Sequence, residues 1–199
     1  MADLPLDPTT FLREQVLPHV RRRIADLRTQ VQRLEAEIQN RLTAEATLEL
    51  VLEGDGGGTW LLHLQAGDMQ LVDRAPSPPL VRIYQSRADW QALVHAQRAS
   101  GSAGTPIGGD LTHDRIERLR GLQGVVEFRL TTDDGEHSVQ VQFGTGDRTP
   151  PRCTLRMRAE DARRLQAGEL APQAAFLQGL VKLEGDVALA MQVGAVFLT

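Results

Sequence analysis

The sequence predicts an α+β fold in which a long N-terminal helix precedes two tandem copies of a unit made of a β-hairpin, further strands and helices. Three observations lead to this prediction. Apolar residues recur every third or fourth position over 17–42, hairpin patterns lie at 47–64 and 125–143, and an alternating strand that runs directly into a helix follows each hairpin. Hydrophobic residues make up 41% and charged residues 24% of the 199 positions, which is typical of a folded globular protein and argues against wholesale disorder.

The first predicted element is a helix over residues 17–42. The stretch from His19 to Leu42 contains no Gly or Pro, and residues 7–10 supply capping and first-turn residues. At about 1.5 Å per residue, the helix would extend roughly 40 Å. Its apolar rhythm is typical of a coiled-coil seam, which must be buried against a second copy or against the body of the protein. The seam consists of Leu17, Val20, Ile24, Leu27, Val31, Leu34, Ile38 and Leu42.

This helical segment is basic, whereas the rest of the chain is acidic. Residues 9–43 contain seven Arg and four acidic residues, so their net charge is about +3. Because the net charge of the whole chain is −4, the remaining residues carry about −7. The Arg21-Arg22-Arg23 cluster could contact phosphate or an anionic lipid surface. A solvated face beside the seam is the favoured interpretation. A third option is that the helix docks on the acidic body, in cis or on a partner.

The first predicted copy covers residues 44–123, after the helical segment 1–43. Its strands are predicted at 47–52, 59–64, 69–72 and 80–85, its helices at 87–97 and 111–122, and a flexible Gly/Ser stretch at 99–109.

The second predicted copy covers residues 124–199 and follows the same order. Its strands are predicted at 125–130, 138–143 and 153–158, with a helix at 159–166. Two anchors indicate the repeat: residues 83–90 align with 155–162, and residues 107–111 align with 183–187. In the second anchor a Gly-Asp step opens a helix, and Asp110 or Asp186 is expected to be the N-cap of that helix.

Residues 176–191 read Phe-Leu-Gln-Gly-Leu-Val-Lys-Leu-Glu-Gly-Asp-Val-Ala-Leu-Ala-Met. This segment resembles the C-terminal signature of the sterol carrier protein 2 (SCP2) family, in which a short strand, Gly-Asp and an apolar helix follow a helix end and Gly. The resemblance extends over 124–199 and, weakly, over 46–122. It implies in each copy a mostly antiparallel five-stranded sheet with helices on one face. It also implies an apolar tunnel for sterols, fatty acyl chains or other lipids. Ubiquinone-biosynthesis accessory factors of this kind can pair the domain with a coiled coil, although in the opposite order.

The helices after the two Gly-Asp steps differ in polarity. Residues 111–122 form an ordinary amphipathic pattern, whereas residues 187–198 contain Gln192 as their only strongly polar side chain. A helix that is apolar all round is either a buried core element or one wall of an apolar cavity, so a lipid is expected in the second copy. The resemblance favours the following lining residues, each of which has a plain core role as its alternative: Val139, Val141, Phe143, Leu155, Met157, Phe176, Leu180, Leu189, Met191, Val193 and Phe197.

Other functions find little support in the sequence. The five His are scattered, no nucleophile or phosphate-loop motif is present, and Cys153 is expected as a buried structural thiol. We therefore predict no catalytic residues, no metal site and no cofactor. The acidic charge and 4% aromatic content argue against nucleic-acid binding. No signal peptide or membrane-spanning run is recognised, and a single cysteine fits a reducing, cytoplasmic location.

The sequence leaves two classes of function open. The preferred one is a non-catalytic carrier that binds a hydrophobic ligand between the sheet and the C-terminal helix. The alternative is a scaffold or accessory protein without bound lipid, which acts through its coiled coil. In either case a homodimer through residues 17–42 is a possible assembly.

Overall fold

The computed structural model describes residues 7–99 and 111–197, without the side chains of Ala99 and Phe197. The predicted Gly/Ser stretch, apart from Ala99, and the predicted cap Asp110 lie outside these ranges. The chain divides into two compact units, Met1–Asn40 and Arg41–Thr199. The predicted boundaries at 43/44 and 123/124 remain predictions.

The N-terminal unit is helical, as predicted. Helix α1 (Pro8–Phe11) continues through one π-helical turn (Leu12–Val16) into α2 (Leu17–Leu42), so the helix over 17–42 is confirmed. The Asp7 carboxylate accepts a hydrogen bond from Thr10 N over 2.9 Å, which satisfies one of the free amides of the first turn. A hydrogen bond from the Thr10 hydroxyl to the same carboxylate, together with the bond from Thr10 N, lowers the pKa of Asp7 below its usual value.

The second unit is built on one eight-stranded sheet with the strand order β3-β2-β1-β4-β6-β5-β7-β8. The strands are β1 (Ala46–Glu53), β2 (Gly58–Gln65), β3 (Asp68–Val72), β4 (Val81–Ser86), β5 (Gly124–Thr132), β6 (Gly135–Phe143), β7 (Cys153–Arg158) and β8 (Lys182–Gly185). Two pairs, β1 with β4 and β5 with β7, are parallel, and the other pairs are antiparallel.

The prediction of a separate five-stranded sheet in each copy is wrong. Strand β4 of the first segment pairs antiparallel with β6 of the second, from Val81 opposite Phe143 to Tyr84 opposite Gln140, and this joins both segments into one sheet. The physical reason is that the outer edges of β4 and β6 would otherwise expose unpaired backbone groups. Pairing these two edges satisfies both of them at once.

The described helices of this unit are α3 (Arg87–Ala99), α4 (His113–Arg120), α5 (Ala159–Gln166), α6 (Pro172–Leu177) and α7 (Val187–Phe197). Helix α4 is shorter than the predicted 111–122. Its N-cap is Thr112, whose hydroxyl accepts a hydrogen bond from Arg115 N, rather than the expected Asp110.

The two faces of the sheet differ in polarity. Alternate side chains of its central strands join Leu93, Leu119 and Leu189 of the helices in one apolar cluster. The opposite face is polar: Arg82 donates a hydrogen bond to Glu49 over 2.8 Å, and the Arg148 guanidinium lies 4.3 Å from the centre of the Tyr84 ring. The apolar face is therefore where a hydrophobic ligand would have to be sought.

Candidate functional site

The candidate site lies on the apolar face of strands β5, β6 and β7. Strand register aligns their inward side chains in rows, because Val126 lies opposite both Val141 and Cys153 in the ladder. The next row in the same register joins Phe128, Val139 and Leu155. Rows of this kind form a continuous apolar layer.

Helix α7 covers part of this layer with one of its faces. Leu189, Val193 and Val196 are 3–4% exposed and belong to the same core cluster as the strand side chains. They lie at i, i+4 and i+7, which places them on one side of the helix. The other side is also apolar but faces solvent, since Val187 is 56% and Met191 71% exposed. The helix is thus apolar on both sides and buried on one only.

Asp186 caps the start of α7 and joins it to Arg152, the residue that precedes β7. Leu189 N donates a hydrogen bond to Asp186 Oδ1 over 3.0 Å, Asp186 N donates to Arg152 O over 2.9 Å, and the Arg152 guanidinium pairs with the Asp186 carboxylate. The bond from Leu189 N and the charge of Arg152 hold the pKa of Asp186 below its usual value. The sequence prediction that Asp186 caps this helix is confirmed.

Gly185 makes this anchor sterically possible. Its φ is +92°, and a Cβ atom there would lie 2.4 Å from Arg152 O. Any other residue would be strained by its backbone conformation and would collide with the neighbouring strand.

Ten of the eleven predicted lining residues fall into three groups by exposure. Val139, Val141, Phe143, Leu189 and Val193 are buried, Leu155, Met157 and Leu180 are partly buried, and Phe176 and Met191 are exposed. Phe197 lies at the end of α7, and its side chain is outside the described residues.

Met157 connects the layer to a second apolar cluster. This cluster contains Leu165, Leu170 and Ala175 of the α5–α6 region, and both Met157 and Leu180 pack against it. Beside it, Phe176 and Leu177 of α6 are exposed. Two exposed apolar pairs, on α6 and on α7, therefore adjoin clusters that include predicted lining residues.

Sequence reasoning missed several members of the apolar layer. Val126, Phe128, Leu130 and Val196 belong to it or pack against it. The signal for the first three was the alternation within β5, which places them on the same face. Val196 follows Leu189 by seven residues, which is the helical spacing.

Cys153 lies within the layer and is 2% exposed, as the prediction of a buried thiol requires. Burial and the nearby Asp186 carboxylate raise the pKa of the thiol, and Arg152 opposes them only in part. A thiol with a raised pKa is a weak nucleophile at neutral pH.

A polar network lies at one end of the apolar face. His137 Nδ1 lies 3.0 Å from Asp89 Oδ1, and its Nε2 lies 3.0 Å from Thr132 Oγ1. Ser86 Oγ donates to Asp89 and accepts from Asp89 N, both over 2.9 Å. Since helix α3 carries Asp89 and strand β6 carries His137, the network links the two predicted copies.

A crevice of about 270 Å³ with a mixed polar and apolar lining lies at the start of β1. There Thr47 Oγ1 is 3.0 Å from Ser77 Oγ and 3.2 Å from His63 Nδ1, while Arg120, Gln123 and other residues complete the wall.

Neither a metal-binding cluster nor a membrane span is present in the described ranges. Over 7–99 and 111–197, no three His, Cys, Asp or Glu side chains come together as metal ligands. No helix in that part of the chain has the length and hydropathy needed to cross a bilayer.

Comparison with known families matches residues 110–198, a little under half of the chain, to the SCP-2 sterol transfer family. No curated protein sequence matches the chain.

Several solved structures resemble the protein in part. The sterol carrier protein 2 like 2 of Aedes aegypti is 22% identical over 55% of this chain and 97% of its own, with a TM-score of 0.35. The sterol carrier protein domain 2 of Helicoverpa armigera is 24% identical over 54% of this chain and 83% of its own, with a TM-score of 0.34. The ubiquinone synthesis protein UbiJ-SCP2 is 20% identical over 54% of this chain and 95% of its own, with a TM-score of 0.31. Because these scores are below 0.5, no conclusion depends on them. The residues matched by the family model, 110–198, contain strands β5–β7 of the apolar layer and helix α7.

Proposed function

We propose that this protein binds a hydrophobic ligand, a sterol, fatty acyl or isoprenoid lipid, between strands β5–β7 and helix α7, and that it acts as a carrier without a catalytic step. The observation that carries the proposal is the two-sided apolar character of α7. One side, with Leu189, packs on the sheet, and the other side, with Met191, is exposed. The location expected for such a carrier, with its single reduced cysteine, is cytoplasmic.

An apolar ligand would cover the side of α7 that is apolar and now faces water. A surface helix normally carries a polar stripe, which α7 lacks over its described length. If α7 moves outward about its anchor at Asp186, a lipid can enter beneath it and contact both the helix and the strand layer. Sites for such ligands are lined mainly by apolar side chains with few polar groups. The predicted lining residues fit that requirement, with Phe176 and Met191 at the exposed margin.

The first experiment is native mass spectrometry of freshly purified protein, with solvent extraction of any bound lipid. We expect a lipid-bound mass, and uptake of a fluorescent fatty acid by the extracted protein. Leu155→Trp fills the layer from β7 and should weaken uptake at least tenfold. Leu71→Trp adds the same side chain at an exposed position of β3, so it serves as the matched control.

Circular dichroism and thermal unfolding must show that both Trp variants are folded. If Leu155→Trp does not fold, Met191→Asp is the second variant, because its exposed position tolerates a charge without loss of the core. An apo mass with no uptake from a total lipid extract would contradict the carrier function. Equal uptake by all the folded variants would contradict the site between β5–β7 and α7.

The second candidate is a scaffold that dimerises through residues 17–42. The observation in its favour is the exposed seam of α2, in which each apolar side chain from Leu17 to Ile38 is 41–59% exposed. We propose that a second copy covers this seam. A Leu27→Asp, Leu34→Asp double variant should then sediment as a monomer while the wild type sediments as a dimer. A wild-type monomer would contradict dimerisation.

We also propose that residues 44–123 and 124–199 are tandem copies. The support is their shared connectivity: in each segment the first hairpin strand pairs in parallel with a later strand, β4 or β7, which runs directly into a helix. An experimental structure in which the two segments superpose strand by strand would support duplication. A different crossover handedness in the two segments would contradict it.

A further inference from the structure

The seam of α2 has a regular heptad register. Leu17, Ile24, Val31 and Ile38 recur at intervals of seven, and Val20, Leu27 and Leu34 lie three residues after the first three of them. These two sets are the a and d positions of a coiled coil. Near the middle of the seam, Ile24, Leu27, Arg28 and Val31 line a shallow groove. Their spacing of i, i+3, i+4 and i+7 is that of a hole that receives one side chain from a facing helix.

The charged residues beside the seam are divided between the two halves of the helix. The e and g positions of the heptads hold Arg21, Arg23 and Arg28 in the first half, and Glu35 and Glu37 in the second half. Gln30, at the middle g position, is uncharged. These positions flank the interface, and their charges determine which orientation of a partner helix is favoured.

In a parallel pair of these helices, the only contact between two charged flanking residues would be repulsive. In that orientation a g residue faces the e residue of the next heptad on the partner helix, so Arg23 would face Arg28 of the partner subunit, twice by symmetry. The other pairs would combine Gln30 with Glu35, Val16 with Arg21, and Glu37 with Leu42. None of these is an ion pair.

An antiparallel pair would place opposite charges together. With Leu27 facing Val31 of the partner subunit, Arg21 lies near the partner's Glu35 and Arg23 lies near the partner's Glu37, each twice by symmetry. The cost is one like-charge contact, between the two copies of Arg28 at the two-fold axis. All seam positions from Val20 to Ile38 still pair with apolar residues.

We propose that the occupant of the α2 seam is a second copy of this chain in antiparallel orientation, in the register that places Leu27 opposite Val31. The inference rests on the dimer proposed above and adds the relative orientation of its two α2 helices. After the first heptad, which has Leu17 at a and Val20 at d, the seam has β-branched residues at a and Leu at d. This composition is compatible with two helices in either direction, since each antiparallel layer joins one a residue to one d residue. The charge pattern therefore decides the orientation.

Disulfide cross-linking tests the direction in the full chain, with Cys153→Ala as the background. In the proposed register Val20 faces the partner's Ile38, whereas the two copies of Val20 lie about 27 Å apart at 1.5 Å per residue. Mixed Val20→Cys and Ile38→Cys proteins should form a disulfide-linked dimer, and neither variant should cross-link to itself. Self-linked Val20→Cys with no mixed product would overturn the antiparallel direction.

Charge reversal is an independent test, because the same substitution should weaken an antiparallel dimer and tighten a parallel one. In the antiparallel dimer, Arg23→Glu places two carboxylates at each contact with Glu37. We therefore expect the dissociation constant of the dimer to rise about tenfold at low salt. In a parallel dimer the same change would face Arg28 and would tighten the dimer. The double variant Arg23→Glu, Glu37→Arg should restore wild-type dissociation only in the antiparallel case.

Sedimentation equilibrium of the wild type separates failure of the direction from failure of the dimer. A dimer that cross-links in parallel contradicts the orientation alone. A monomer at all concentrations, with no cross-link in any variant, overturns the dimer proposal and with it this inference.

Discussion

The imidazole of His137 lies with Nδ1 3.0 Å from Oδ1 of Asp89, and this contact joins helix α3 of the first segment to strand β6 of the second. Both side chains are mostly covered, at 11% and 26% side-chain exposure. A contact of this kind is worth more than an exposed ion pair, because removing one partner leaves the other polar group covered and unpaired. Together with the β4–β6 ladder, it explains why the two segments form one unit.

We predict an energetic coupling between these two residues. In a double-mutant cycle of Asp89→Ala and His137→Ala, the unfolding free energies should be non-additive by about 0.5–3 kcal/mol. Urea unfolding measures the four proteins. As the control, Asp89→Ala combined with Asp55→Ala, in the exposed β1–β2 turn, should be additive. Additivity in the first cycle would show that the contact does not join the segments energetically.

A second prediction concerns the two faces of α7. Leu189→Ala should lower the free energy of unfolding by about 2–5 kcal/mol, because it leaves a cavity in the layer. Met191→Ala, on the exposed face of the same helix, should change it by about 0.5 kcal/mol or less. Equal losses in the two variants would contradict the packing of α7 described above.

A third prediction concerns acid stability and Glu127. Burial alone would raise the pKa of Glu127, but hydrogen bonds from Arg129 and Ser138 hold that pKa below its usual value of 4.5. The ionised carboxylate therefore stabilises the fold fully above the unfolded-state pKa, and this stabilisation is lost as pH falls from about 4.5 through the lower folded-state pKa.

Glu127→Gln should consequently flatten the decline of unfolding free energy below about pH 4.5, while also lowering stability at neutral pH. Denaturant unfolding at a series of pH values provides the measurement, and Asp55→Asn removes one carboxylate from an exposed turn as the control. The interpretation is wrong if the Glu127→Gln and wild-type curves remain parallel below pH 4.5.

A fourth prediction concerns the anchor of α7 at Gly185. Gly185→Ala combines a left-handed φ with a collision at Arg152 O, and we expect a loss of roughly 1–3 kcal/mol. Gly168→Ala is the matched control, since its φ is +70° but a Cβ atom there has free space. Thermal unfolding should show the larger loss for Gly185→Ala. A larger loss for Gly168→Ala would mean that the strand does not constrain this turn.

Local elements of the fold were predictable from the sequence because their signals lie within short windows. The α2 bounds, 17–42, and the β7 bounds, 153–158, agree with the structure, and the two hairpins differ from their predictions by only a few residues. The apolar face of β6 also followed from its alternation. Val139, Val141 and Phe143 are all buried.

The sequence by itself determined the helical and strand periods, the capping Asp186 and the apolar composition of α7, since each depends on neighbouring residues. Tertiary structure decided which strands share an edge and which side of α7 is buried. The β4–β6 pairing and the contact of Asp89 with His137 join residues 48 or more positions apart, and no local pattern encodes such a pair. A helix that is apolar on every side likewise has no pattern that selects Leu189 over Met191, so packing against the strand layer makes that choice.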